Sequence, residues 1–160
     1  MSHKGAGLDR SKSTVIGWRE WVALPDLGIH SIKAKIDTGA RTSALHATSI
    51  NLLTVQGVEL VEFRIPRVGA GRMRQCTAQL LDRRPIKNTS GKMEMRFIIR
   101  SLMVIAGRKW SIELSLADRE AMSFNLILGR TALRGHRLVI DPGRSFVATS
   151  LPDESSRPAP

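Results

Sequence analysis

Only one cysteine, Cys76, and no tyrosine occur among the 160 residues. A single thiol excludes an internal disulfide and suits a reducing compartment, so a cytoplasmic location is expected. No apolar run approaches the ~20 residues needed to cross a bilayer. The opening MSHKGAGLDRSKST also lacks an apolar stretch, so neither a membrane nor a signal peptide is expected. Aromatics are sparse, three Trp and four Phe, with no stacking motif of the kind that marks RNA-binding sheets. None of His3, His30, His46 and His136 shows the Glu-x-x-His spacing of a helix-borne zinc site, and no Gly-x-x-x-x-Gly-Lys-Ser/Thr phosphate loop occurs. Acids are scarce too: the formal net charge is +11, and +10 of it lies in residues 64–109. There Arg64, Arg67, Arg72, Arg74, Arg83, Arg84, Lys87, Lys92, Arg96, Arg100, Arg108 and Lys109 face only Asp82 and Glu94. Such a field attracts polyanions. Nucleic acid, an acidic polypeptide and an acidic protein tail all fit it, as does a solvated face that only keeps the chain soluble.

What is present is period-2 alternation, the mark of half-buried strands. In HSIKAKID, Ile32, Ala34 and Ile36 oppose Lys33 and Lys35; in VEFRI, Val61, Phe63 and Ile65 oppose Glu62 and Arg64. WSIELSL sets Trp110, Ile112, Leu114 and Leu116 against Ser111, Glu113 and Ser115. MRFIIRSLMVIAG is longer and more apolar, as a central strand requires. Turns are signalled by LPDLG, VQG, VGAG, NTSG and AGR. One short helix is expected in GRTALRG, residues 129–135. LLDRRPIKNTSGKMEMRF reads as a hairpin over 82–93 whose polar tip, Lys87 to Gly91, could cover a cleft. Residues 1–14 and 150–160 are polar or Pro/Ser-rich and read as flexible tails around one domain, 15–149. The fold class is mainly β, a barrel or closed sandwich.

Two elements carry chemistry. AKIDTGAR ends a strand in Asp37, followed by Thr38, Gly39, Ala40 and Arg41; NLILGRTAL runs an apolar strand into Gly129, Arg130 and the helix. That pairing is the layout of one lobe of an aspartic protease, with Gly129 permitting close approach to the Asp loop. VIGWREWVALPDLGIHSIKAKIDTGARTSALHA, KNTSGKMEMRFIIR, NLILGRTALRG and the closing LVIDPGRSF together resemble the RimK-associated family, labelled ATP-dependent zinc proteases, whose RimB-like members are retropepsin-like.

The resemblance, over residues 15–149, implies a retropepsin-like closed β-barrel with one short C-terminal helix and an aspartic peptidase that needs no cofactor. Peptide hydrolysis by this route takes two carboxylates that share one proton, one activating water and the other protonating the carbonyl oxygen. A lobe of this size supplies one, so a homodimer is implied, with Asp37 from each copy, Thr38 bonding across the twofold axis and Gly39 admitting the substrate backbone. Viral retropepsins carry a second Asp where this chain has Arg41, a group able to grip a carboxylate through two parallel hydrogen bonds. Ala40, Arg41 and Arg130, with Asn88 and Ser90 at the hairpin tip, are the candidate substrate contacts. For either arginine an ion pair with Glu20 or Asp118 is the structural alternative. The family is linked to RimK-like ligases that add glutamates to a ribosomal protein's C-terminus. The implied substrate is therefore an acidic, poly-glutamate tail and the ligase a functional associate.

Other readings stay open at this point. VIDPGR echoes KIDTGAR, so Asp141 could complete an intramolecular dyad, although Pro142 replaces the threonine. Asp37, His46 and Cys76 could converge on a metal, although a lone histidine is more often structural and a lone cysteine a small core hydrophobe. A non-catalytic module holding an acidic protein or RNA would use the same basic surface.

Overall fold

The computed structural model describes residues 13–66, 73–118 and 123–149. The expected tails, apart from Ser13 and Thr14, and the VGAG turn lie outside the described residues. Period-2 alternation decides most of the local structure. In β3 (Ile29–Ile36) the apolar Ile32, Ala34 and Ile36 are buried and the intervening lysines half-exposed. β6 (Val58–Ile65) likewise buries Val61, Phe63 and Ile65. β10 (Arg108–Ala117) keeps the pattern with one departure. Ser115, expected on the outer face, is buried and donates its hydroxyl to the Ser43 carbonyl at 3.0 Å.

Six strands close a barrel. β10, β4 (Ser43–His46), β11 (Leu126–Leu128), β3, β2 (Arg19–Leu24) and β9 (Met93–Ile105) are neighbours in that order, and β9 pairs again with β10. β9 is the long central strand that its apolar run predicts. Ile98 to Ile105 pair with β10, while Met93 to Ile98 leave the barrel with β8 (Asp82–Lys87) as the expected hairpin. β5 (Thr48–Val55), β6 and β7 (Arg74–Gln79) form a separate antiparallel sheet, and β1 (Thr14–Gly17) pairs in parallel with β12 (Leu138–Asp141). The only α-helix among the described residues, α1 (Arg130–Leu133), follows β11. Leu24, Ile32, Phe63, Met103, Leu114 and Leu126 are fully buried in one continuous core. Burying such side chains is worth ~2 kcal/mol each before entropy is counted.

One buried charge fixes the end of the domain. Glu20 is 0% exposed, yet no described cation meets it. Instead its carboxylate accepts the backbone N–H groups of Gly17 (2.9 Å), Val147 (2.7 Å) and Ala148 (3.0 Å), and the Thr149 hydroxyl. Segment 145–149 is thereby strapped across β2, with Phe146 stacked on Trp21 at 5.5 Å. Glu20 is thus no arginine partner. Replacing its carboxylate leaves several donors bare at ~1–3 kcal/mol each. Glu20→Ala is expected to lower unfolding free energy by ~3 kcal/mol in urea titrations, and Glu20→Gln by less, because the amide oxygen still accepts.

Candidate active site

The Asp37 loop is built from backbone hydrogen bonds. β3 ends where the N–H of Asp37 meets the Leu128 carbonyl at 2.9 Å. The Asp37 Oδ1 then accepts the Gly39 N–H at 3.0 Å, and the Asp37 carbonyl accepts the Ala40 N–H at 3.2 Å. A carboxylate closing its own turn in this way is the usual reason for Asp before a glycine. Asp37 is half-buried, and Thr38 and Gly39 are exposed beside it.

The segment after β11 clamps the rest of the loop. The Arg130 N–H donates to the Ala40 carbonyl (2.8 Å), and its Nη1 donates to the Thr38 carbonyl (2.9 Å). The Thr131 N–H (3.1 Å) and hydroxyl (2.9 Å) both donate to the Arg41 carbonyl. Gly129 makes this approach possible. A Cβ there would stand 2.9 Å from the Ala40 oxygen, 2.9 Å from the Thr42 carbonyl carbon and 3.0 Å from that of Arg41. The Gly129 N–H itself bonds the Ser43 Oγ at 3.0 Å. Neither arginine takes the expected ionic alternative: Arg130 serves the loop, and Arg41 is exposed without an ion pair among the described residues. Gly129→Ala presses on backbone that cannot yield locally and is expected to cost ~2 kcal/mol of stability, measured by denaturant unfolding.

The other candidates fall in separate places. Asp141 ends β12 in the two-stranded sheet, opposite Gly17, and its Oδ1 caps its own turn through the Gly143 N–H at 3.0 Å. His46 lies at the far end of β4, its N–H on the Asn125 carbonyl and its Nδ1 3.8 Å from Asp118. Cys76 is buried in β7 with its thiol 3.6 Å from the Leu27 carbonyl, and burial raises its pKa although Arg74 opposes this. The zinc candidates, Asp37, His46 and Cys76, do not form a ligand set. Among the described residues no three His, Cys, Asp or Glu converge to hold a metal.

The hairpin tip is organised by Asn88. Its Oδ1 accepts from the Ser90 N–H (3.0 Å), the Ser90 hydroxyl (2.7 Å) and the Lys92 N–H (2.9 Å), and its Nδ2 donates to Glu94 at 2.7 Å. Glu94 in turn meets Arg96 at 3.2 Å. At the hairpin base Arg84 joins Asp82 and Glu113, both at 2.7 Å. Sequence reasoning missed this clasp, because Glu113 and Glu59 lie far from their arginines in the chain; Glu59 meets Arg83 at 3.0 Å. The +10 left in that segment, after its own Asp82 and Glu94 are counted, is thus partly neutralised by Glu59 and Glu113 from outside it.

These contacts have a pH signature. The Asn88 amide and then Arg96 lower the pKa of Glu94; the Arg84 guanidinium and then the Arg83 N–H lower that of Asp82. Folded values below the unfolded ones mean that the clasp contributes fully above about pH 5 and is lost as pH falls through the lowered values. The heteronuclear NOE of Gly91 is expected to fall below about pH 4 while that of β10 amides holds.

With this geometry in hand, comparison with known proteins is decisive. Residues 15–150 match the RimB-like family, described as retropepsin-like aspartic endopeptidase RimB. The chain belongs to this family. The matched span runs from β1 through the strap held by Glu20, so the whole barrel is the RimB-like domain. The domain is 40% identical over 143 residues to a probable alpha-L-glutamate ligase of Desulfotalea psychrophila, covering 88% of this chain and 31% of that protein. A probable alpha-L-glutamate ligase of Shewanella halifaxensis is 37% identical over 134 residues, 82% of this chain and 29% of that one. The RimB-like chain thus spans less than a third of these curated relatives. Its fold is shared with the crystal structure of Lpg0085, a protein of unknown function from Legionella pneumophila. That match has a TM-score of 0.73 at 23% identity, over 85% of this chain and 98% of the other. Among the described residues, no helix is long and apolar enough to cross a membrane.

Proposed function

We propose that the chain is an aspartic peptidase that hydrolyses acidic peptides, with Asp37 of two copies forming the catalytic pair. The observation that carries this reading is the Asp37-Thr38-Gly39 turn at the end of a barrel strand, clamped by Gly129, Arg130 and Thr131. Two carboxyl groups so close cannot both ionise, so they hold one proton between them. The charged partner takes a proton from a water molecule whose oxygen attacks the peptide carbonyl carbon. The neutral partner gives its proton to the carbonyl oxygen. Collapse of the tetrahedral diol then breaks the C–N bond, and the leaving nitrogen accepts a proton from the pair.

Acidic specificity is supported by Arg41, four residues after Asp37, exposed and without an ion pair among the described residues. Poly-glutamate tails suit it best. The matched relatives are named probable alpha-L-glutamate ligases, and a RimK-like ligase that builds such tails is the functional associate we propose. The hairpin tip shaped by Asn88 and Ser90 would close over the bound peptide. Asp37→Asn is expected to reduce hydrolysis of a poly-L-glutamate substrate by ~10³-fold or more, with circular dichroism and sedimentation equilibrium unchanged at the dimer mass. Wild-type turnover by this variant, or a monomer with full activity, would refute the shared-proton mechanism.

A further inference from the structure

Arg100 is an exposed cation that neither the loop nor the hairpin uses. It projects from β9 into an open cavity of about 520 Å³ lined by Arg100, Ser111, Ile112, Glu113 and Thr131. Ile112, whose side chain is buried in the core, lines it between Ser111 and Glu113. Glu113 stands opposite Arg100 in the β9–β10 register, but its carboxylate is matched by Arg84 Nη1 at 2.7 Å. Arg100 has no ion pair among the described residues. The cavity thus offers one unmatched guanidinium beside the exposed Ser111 hydroxyl.

Its far wall ties it to the Asp37 loop. Thr131 lines the cavity and holds the Arg41 carbonyl with both its N–H and its hydroxyl. A peptide that runs along Asp37 to Arg41 would therefore reach the cavity a few residues from the bond at Asp37.

We propose that this cavity is a secondary carboxylate site, in which Arg100 and Ser111 hold an acidic side chain of a peptide whose other part lies at the Asp37 loop. The inference rests on the acidic-peptide reading above and adds to it a dependence on length. The planar fork of Arg100 takes both carboxylate oxygens, and Ser111 donates to one of them. An acidic tract presents a carboxylate at every residue, ~3.3 Å apart when extended, so some side chain falls in register with the cavity. Once the loop is engaged, this second contact is intramolecular and raises affinity for longer peptides alone.

Calorimetric titration of the full chain carrying Asp37→Asn, with oligo-glutamates of three and eight residues, tests this without turnover. Adding Arg100→Ala is expected to weaken octamer binding by about tenfold and to leave the trimer unchanged; Arg100→Lys recovers part of the loss. Lys109→Ala, an exposed cation outside the cavity, leaves both peptides unaffected. Unchanged octamer affinity in Arg100→Ala overturns the proposal. So does equal weakening of both peptides, or a Lys109→Ala loss as large as that of Arg100→Ala, since either marks a diffuse field. Active Asp37→Asn enzyme would refute the mechanism above yet leave this binding result standing, so the two failures are distinguishable.

Discussion

Three backbone carbonyls, those of Thr38, Ala40 and Arg41, hold the candidate site in place, because each is met by a donor from Arg130 or Thr131. Loop carbonyls ordinarily face water and leave a loop free to move. Here they do not, and Asp37 inherits its position from them. The arrangement depends on what position 129 lacks, since any side chain there would separate the two segments. Catalytic carboxyl pairs need placement to within about half an ångström, which a water-bonded loop would not give.

The charge of the molecule reads differently once contacts are known. Arg83, Arg84 and Arg96 each face an acid, and Arg130 faces a carbonyl. These four act as structural donors. Arg41 and Arg100 are among the exposed cations without an ion pair among the described residues, as are Lys87, Lys92, Lys109 and Arg134. A basic composition therefore says little until the matched cations have been set aside. Of those that remain, Arg41 and Arg100 are tied to Thr131, the one through its carbonyl and the other through the cavity that Thr131 lines.

Much of the barrel was legible in the sequence. Alternation in β3, β6 and β10 fixed which side chains face inward, and the apolar length of β9 marked it as central. The Asp37 turn and the Gly129 approach were also readable, because both rest on residue types with few alternatives. Partnerships across long separations were not. Ser115 looked like a solvent residue until β4 came to lie beside it, and Glu20 looked like a ready partner for an arginine. Glu113 and Arg84 are 29 positions apart, and no periodicity links them. Asp141 shows the limit of motif reading: it makes the same local turn as Asp37, yet it sits in a different sheet.

The strap held by Glu20 also sets how this unit can be joined to other proteins. Val147, Ala148 and Thr149 supply three of the four donors that quiet the buried anion, and the first lies 127 positions away along the chain. An acid near the start of the unit thus dictates where the unit is allowed to stop. A version cut shorter would carry a bare anion in its interior. When such a module is spliced into a larger polypeptide, the seam has to fall after that strap and never within it.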